Sequence, residues 1–213
     1  MTKSESLVVS AILAVACPLL VGVACWWTAA LLFFAGVAHL SERGIATAAF
    51  AGLAIGLGAD LLWLKRWAAR FYTVDLRLMG VIYLGSAAIA LAFCMGLPAG
   101  NLVLGTLAGV YVGRRGFHAG ASHEARERLA RRAAAFTAFV TGAGALGIGL
   151  LVLHEGSAVR ILAAWLPLEP ATIAGPTGGM IVFALVLVLI IFQLWCTRTA
   201  ARLAFGWGSN PGG

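Results

Sequence analysis

Residues 96–116 read GLPAGNLVLGTLAGVYVGRRG. A Gly/Pro turn opens this stretch, an apolar segment with glycine at every fourth position follows, and two adjacent arginines close it. Side chains four residues apart share one face of a helix, so Asn101, Gly105, Gly109 and Gly113 form a stripe of small groups headed by an amide. An apolar helix halted by Arg114 and Arg115 has the pattern of a membrane span whose end meets water on the side where basic residues collect.

Composition carries that reading outward to the whole chain. Of 213 residues, 62% are hydrophobic and only 11% charged, and the mean hydropathy is +0.97. A soluble domain has roughly a quarter of its residues charged, which excludes a water-soluble fold. Apolar segments of about twenty residues recur throughout, the length a helix needs to cross a hydrocarbon core about 30 Å thick. The sequence therefore predicts an all-α integral membrane protein with a single transmembrane domain over 1–213. The expected bundle has six transmembrane helices at about 7–38, 45–64, 78–97, 101–113, 133–153 and 178–196, with 198–213 a partly disordered tail.

The first run, Leu7 to Ala38, is too long for one upright span and too short for two, so it reads as one helix tilted or bent near Pro18. The residues AVAC ending at Cys17 faintly resemble a lipoprotein cleavage site. However, Ala14 stands where leucine is usual and the apolar run continues well past Cys17, which favours an uncleaved helix. Lys65, Arg66, Arg70 and Arg77, mixed with Trp63, Trp67, Phe71 and Tyr72, read as a basic, aromatic interfacial loop. Ser122 is placed to cap a helix, with Glu124–Arg128 and Glu127–Arg131 as i,i+4 pairs that carry the fifth span beyond the bilayer. Residues 158–168 are apolar but short, and are expected to lie along the interface.

Charge sets the expected orientation. The net charge is +7. With six spans and the N-terminus inside, thirteen of the 15 Lys and Arg fall on inner segments, leaving only Arg43 and Arg160 outside. That asymmetry predicts both termini cytoplasmic in a plasma (inner) membrane protein. The basic excess is accounted for by orientation and by anionic headgroups, so no nucleic acid partner is expected. The partners expected are the lipid bilayer and a membrane protein or a second copy of the chain. The four cysteines lie in or beside apolar segments without a CxxC spacing and read as reduced and buried.

Candidate sites come from the polar residues that apolar helices must accommodate. Ala48, Gly52, Gly56 and Asp60 form a second stripe with the spacing of the first. Gly52, Gly56, Gly105, Gly109 and Gly113 are the expected helix-packing positions, with spans two and four set against one another. Asp60, the one acidic residue inside a predicted span, must face protein or water. It reads either as an ion pair with Lys65, Arg66, Arg114 or Arg115, or as a proton or cation site. Asn101 follows a Pro/Gly turn at the head of a helix that reads as only about 20 Å long, and short or interrupted helices mark midplane binding sites. The candidate ligand-binding residues are Asp60, Asn101, Thr106, Thr137, Thr141 and Gln193. A weaker set, His39, Glu42, His154 and Glu155, has the chemistry of a divalent-metal site if spans one and five meet.

There is no catalytic motif and no cofactor is expected. The leading functional reading is a non-catalytic transport component that binds a small solute or ion within the bundle. The alternatives are an accessory or assembly protein docking a partner through small-residue faces, and an intramembrane metalloenzyme.

Overall fold

The computed structural model describes residues 3–36, 41–94, 98–154 and 176–206. The described residues form six α-helices: α1 (Lys3–Phe34), α2 (Glu42–Arg70), α3 (Leu76–Phe93), α4 (Ala99–His118), α5 (His123–His154) and α6 (Pro176–Gly206), with a 3-10 turn at Phe71–Thr73. All except α4 are long and apolar enough to cross a membrane. Their outward faces are apolar: Leu61 is 89% exposed, Phe139 73% and Met180 72%. Water would penalise such faces and acyl chains would not, so this is a membrane-embedded helical protein. The chain falls into two compact units, Met1–Asp75 and Leu76–Gly213.

Several helices run further than the sequence reading allows, and for one reason. Hydropathy marks where apolar character ends, whereas hydrogen bonding continues as long as the backbone is helical. Helix α2 continues through Lys65 and Arg66 to Arg70, where an interfacial loop was expected. Helix α4 passes through Arg114 and Arg115 to His118, giving 20 residues instead of thirteen. At 1.5 Å per residue that is about 30 Å, so α4 is not a short helix. Helix α6 carries Arg198 and Arg202 well inside its helical span, and 198–206 is therefore not a disordered tail. The extension of α5 to His123 is as expected, with the Ser122 hydroxyl accepting from the Ala125 amide at 3.3 Å. Residues 37–38, 95–97, 155–175 and 207–213, and the parts of the predicted spans and interfacial segment within them, lie outside the described residues.

The N-terminal unit is a hairpin of α1 and α2. Small residues set its register: a Cβ built on Gly52 would lie 2.8 Å from the Val21 carbonyl oxygen, and one on Gly56 would lie 2.5 Å from Pro18 Cα. Position 52 thus meets position 21 and position 56 meets position 18, an antiparallel pairing. Helix α1 runs unbroken through Pro18, whose ring nitrogen carries no hydrogen and cannot donate the normal helical hydrogen bond. Gly56 lets the partner backbone close over that point.

In the C-terminal unit α6 packs on both α4 and α5, and α3 lies more loosely beside α4 and α5. The α4 stripe fits α6 in parallel, with Gly105 against Gln193, Gly109 against Thr197 and Ala200, and Gly113 against Ala201 and Ala204. Helix α5 runs antiparallel to α6, since Thr137 meets Thr197, Gly142 meets Ile190 and Gly149 meets Val182. Ala130, Ala134 and Ala138 of α5 and Ala201 and Ala204 of α6 are at most 2% exposed. This is packing by backbone approach between small residues, the usual device where apolar lipid supplies no hydrophobic drive. The expected pairing of the two glycine stripes does not occur. Each stripe is filled by a helix of its own unit, α1 for Gly52 and Gly56 and α6 for Gly105, Gly109 and Gly113.

This arrangement gathers the start of α3, the end of α4, the start of α5 and the end of α6 at one end of the C-terminal unit. Arg77, Arg114, Arg115, Arg126, Arg128, Arg131, Arg132, Arg198 and Arg202 all lie there. Arg114 is 8% exposed, donates to the Ala204 carbonyl at 3.4 Å, and sits 4.7 Å from the centre of the Phe117 ring. Gly120, with φ of 60°, ends α4 in the left-handed conformation glycine tolerates.

Candidate functional site

Midway along α6 the small-residue seam turns polar. Asn101 from α4, Thr141 from α5, and Gln193 and Thr197 from α6 are fully buried, and Thr137 from α5 is 1% exposed. Helical spacing explains why these side chains converge. Thr137 and Thr141 lie one turn apart on α5, Gln193 and Thr197 one turn apart on α6, and Asn101 one turn ahead of Gly105 on α4. Gly105 is what admits the amide, because a Cβ there would overlap Gln193 Nε2.

Part of the cluster is a directed hydrogen-bond chain. Gln193 Nε2 donates to Thr197 Oγ1 at 3.0 Å. The two threonine hydroxyls are 3.0 Å apart, and Thr137 Oγ1 donates to the Ala134 carbonyl at 3.2 Å. A hydroxyl has one proton to give. Thr137 spends its proton on Ala134, so Thr197 donates to Thr137 while accepting from Gln193.

The other half is unsatisfied. Both polar atoms of Asn101, the Thr141 hydroxyl, Gln193 Oε1 and the Tyr83 hydroxyl are buried and have no hydrogen-bond partner among the described residues. The Tyr83 hydroxyl of α3 is within interaction range of Thr141, and its ring lies 5.6 Å from that of Phe136. Leaving such a group unpaired costs about 1–3 kcal/mol. The antiparallel register puts Thr141 level with Gln193, and Asn101 lies one turn along α4 from the Gly105–Gln193 contact.

The structure thus brings together Asn101, Thr137, Thr141 and Gln193, four of the six candidate ligand residues. Thr106 is apart from them, its hydroxyl donating to the Leu102 carbonyl at 2.9 Å within its own helix. Asp60 lies in the N-terminal unit, one turn beyond Gly56. It is 5% exposed, neither carboxylate oxygen has a hydrogen-bond partner, and Cys17 of α1 is within electrostatic range. Within its own unit, therefore, the expected pairing with Lys65 or Arg66 makes no hydrogen bond to the carboxylate. Of the weak metal set, His39 and Glu155 lie outside the described residues, while Glu42 begins α2 and His154 ends α5. Among the described residues no three His, Cys, Asp or Glu side chains come together. Thr197 was missed by the sequence reading. Its signal was the four-residue spacing from Gln193, hidden because the predicted span stopped at Cys196.

At the arginine end, Glu127 of α5 clamps α6. Its carboxylate accepts from Arg202 at 2.8 and 3.1 Å and from Arg198, with Arg131 farther off at 4.0 Å. The expected Glu127–Arg131 pair is therefore secondary, while Glu124–Arg128 forms at 3.0 Å in full exposure. Glu127 precedes the apolar part of α5, and the hydrogen bonds from Arg202 and then Arg198 hold its pKa down to about 2. No protein family, curated protein or solved structure matches this chain.

Proposed function

We propose that the protein is a non-catalytic transport component of the inner membrane, crossing it six times with both termini cytoplasmic. In this reading it binds a small polar solute or ion at the Asn101–Thr141–Gln193 cluster. The observation that supports this is the group of buried amide and hydroxyl atoms without partners, drawn from three helices in an otherwise apolar seam. Apolar bundles do not gather unsatisfied polar groups at no cost, and midplane polar groups facing a bundle interior are the usual substrate contacts of transporters. The cluster contains no carboxylate. Neutral oxygen and amide donors suit an uncharged polar solute or a monovalent cation better than a divalent ion. The proposed orientation is supported by the gathering of nine arginines of the described C-terminal unit at one end, under the positive-inside rule.

The test is gentle purification followed by mass spectrometry of retained small molecules, with melting temperatures measured in sodium, potassium and choline chloride. The parent should retain a solute, or be stabilised by sodium or potassium over choline, and Asn101→Leu should abolish that property. If Asn101→Leu and Thr141→Val both melt higher than the parent, with no retained solute and no cation effect in any of the three, the cluster is structural and the reading fails.

A further inference from the structure

We propose that the C-terminal unit carries a second site, for a single anionic phospholipid, in the groove between α3, α4 and α5 at its arginine end. The groove has a volume of about 410 Å³, within the roughly 300–1,000 Å³ typical of small-molecule sites. Its walls are apolar, formed by Leu84, Val112 and Phe136 among others, and Arg77 and Arg132 also line it. The register places both arginines at one end. A Cβ on Gly80 would lie 3.8 Å from the Phe136 ring, so Arg77, one turn before Gly80, is level with Arg132, one turn before Phe136. Deeper in, the groove is lined by Tyr83 and Thr137. Tyr83 is 9% exposed, and its hydroxyl lies within interaction range of Thr141.

The chemistry of these surfaces selects the occupant. Paired guanidinium groups match a phosphate, which arginine can bind through two parallel hydrogen bonds. Arg77 already engages another group in the structure, but its five N–H donors exceed what one partner uses. A free anion would leave the apolar length of the groove unfilled. Leu84 and Val81 line the groove and are 46% and 65% exposed, so it opens onto the acyl-chain side of membrane-embedded helices. A phospholipid supplies both parts, with its phosphate on the arginines and a chain along the apolar wall. Basic pockets between transmembrane helices are established headgroup sites in general. The deep end of the groove borders the solute cluster through Tyr83 and Thr137, but the lipid site rests on the arginines and the apolar wall and does not depend on the solute reading.

The experiment uses the full chain in a neutral detergent, with melting temperature followed as phosphatidylglycerol, phosphatidylcholine of the same acyl chains, or inorganic phosphate is added. Phosphatidylglycerol should raise the melting temperature by roughly 5–10 °C at about a hundredfold its Kd, and the other two should not. Arg132→Gln should weaken the phosphatidylglycerol effect about tenfold or more. Gly80→Leu should remove it by filling the groove, with no penalty from helix propensity, since leucine is the better helix former. Arg128→Gln, which alters an exposed arginine paired with Glu124, should leave the effect intact. The proposal is overturned if phosphatidylcholine stabilises equally, if phosphate alone reproduces the shift, or if Arg132→Gln and Gly80→Leu both keep the parent response.

Discussion

Glu127 at the partly exposed arginine end and Asp60 buried in the hairpin are both acidic, yet they follow opposite rules. Glu127 is held by two arginines of a neighbouring helix, and its folded pKa of about 2 lies below the ordinary 4.5. A depressed carboxyl pKa contributes stability that is complete above the unfolded value and is lost as pH falls toward the folded one. The melting temperature should therefore decline between about pH 4.5 and pH 2 as Glu127 takes up its proton. Glu127→Gln should melt lower than the parent at neutral pH and lose most of that decline, which circular dichroism across the pH range will show. Asp60 has no such partners. A buried carboxyl group with only the Cys17 thiol in range gives up little on becoming an amide, so Asp60→Asn should fold as well as the parent or melt slightly higher. A clear loss of folded protein would show that the acid has a partner or role the hairpin geometry does not reveal. From sequence, the isolation of Asp60 in an apolar segment was plain. Its lack of a partner was not, because arginines nearby in sequence can point along a helix that never brings them alongside.

At the level of helices, the glycine stripes give a graded test. Adding a methyl at Gly109 or Gly113 drives it into a backbone carbonyl of α6, Thr197 or Ala201, which cannot swing away. At Gly105 the obstruction is the end of a flexible side chain, Gln193. Gly109→Ala and Gly113→Ala should each cost about 1–3 kcal/mol through overpacking, and Gly105→Ala less. Gly85→Ala and Gly147→Ala meet nothing within 4 Å and should be neutral or gain up to about 1 kcal/mol in helix propensity. Thermal unfolding of the five variants checks the order, and equal effects at all five would mean that the α4–α6 contact is not the close one. The stripes themselves were legible in the sequence because a four-residue spacing survives any tertiary context. Their partners were not. Two stripes of like spacing fit each other as well on paper as either fits a helix of alanines and threonines, and only the chain's connectivity and packing decide. Helix ends were misjudged for a related reason: at Arg114, Arg198 and Lys65 the hydropathy changes while the backbone hydrogen bonding does not.

For the whole molecule, the gathering of nine arginines of the C-terminal unit at one end was legible in outline, since alternate spans carry the basic residues to the same side. What could not be read was that α6 is the centre of that unit. Its hydropathy resembles that of α1, and nothing in composition distinguishes a helix packed on two neighbours from one packed on a single neighbour. The central place of α6 has a consequence for biosynthesis. Helices α4 and α5 leave the ribosome before it, so Asn101, Thr137 and Thr141 reach the membrane before Gln193 and Thr197 exist to meet them. Until then the nascent chain displays an unmatched polar seam to lipid. A translation product halted ahead of Pro176 should be cleared by membrane quality control, and supplying residues 176–206 as a separate polypeptide should rescue it.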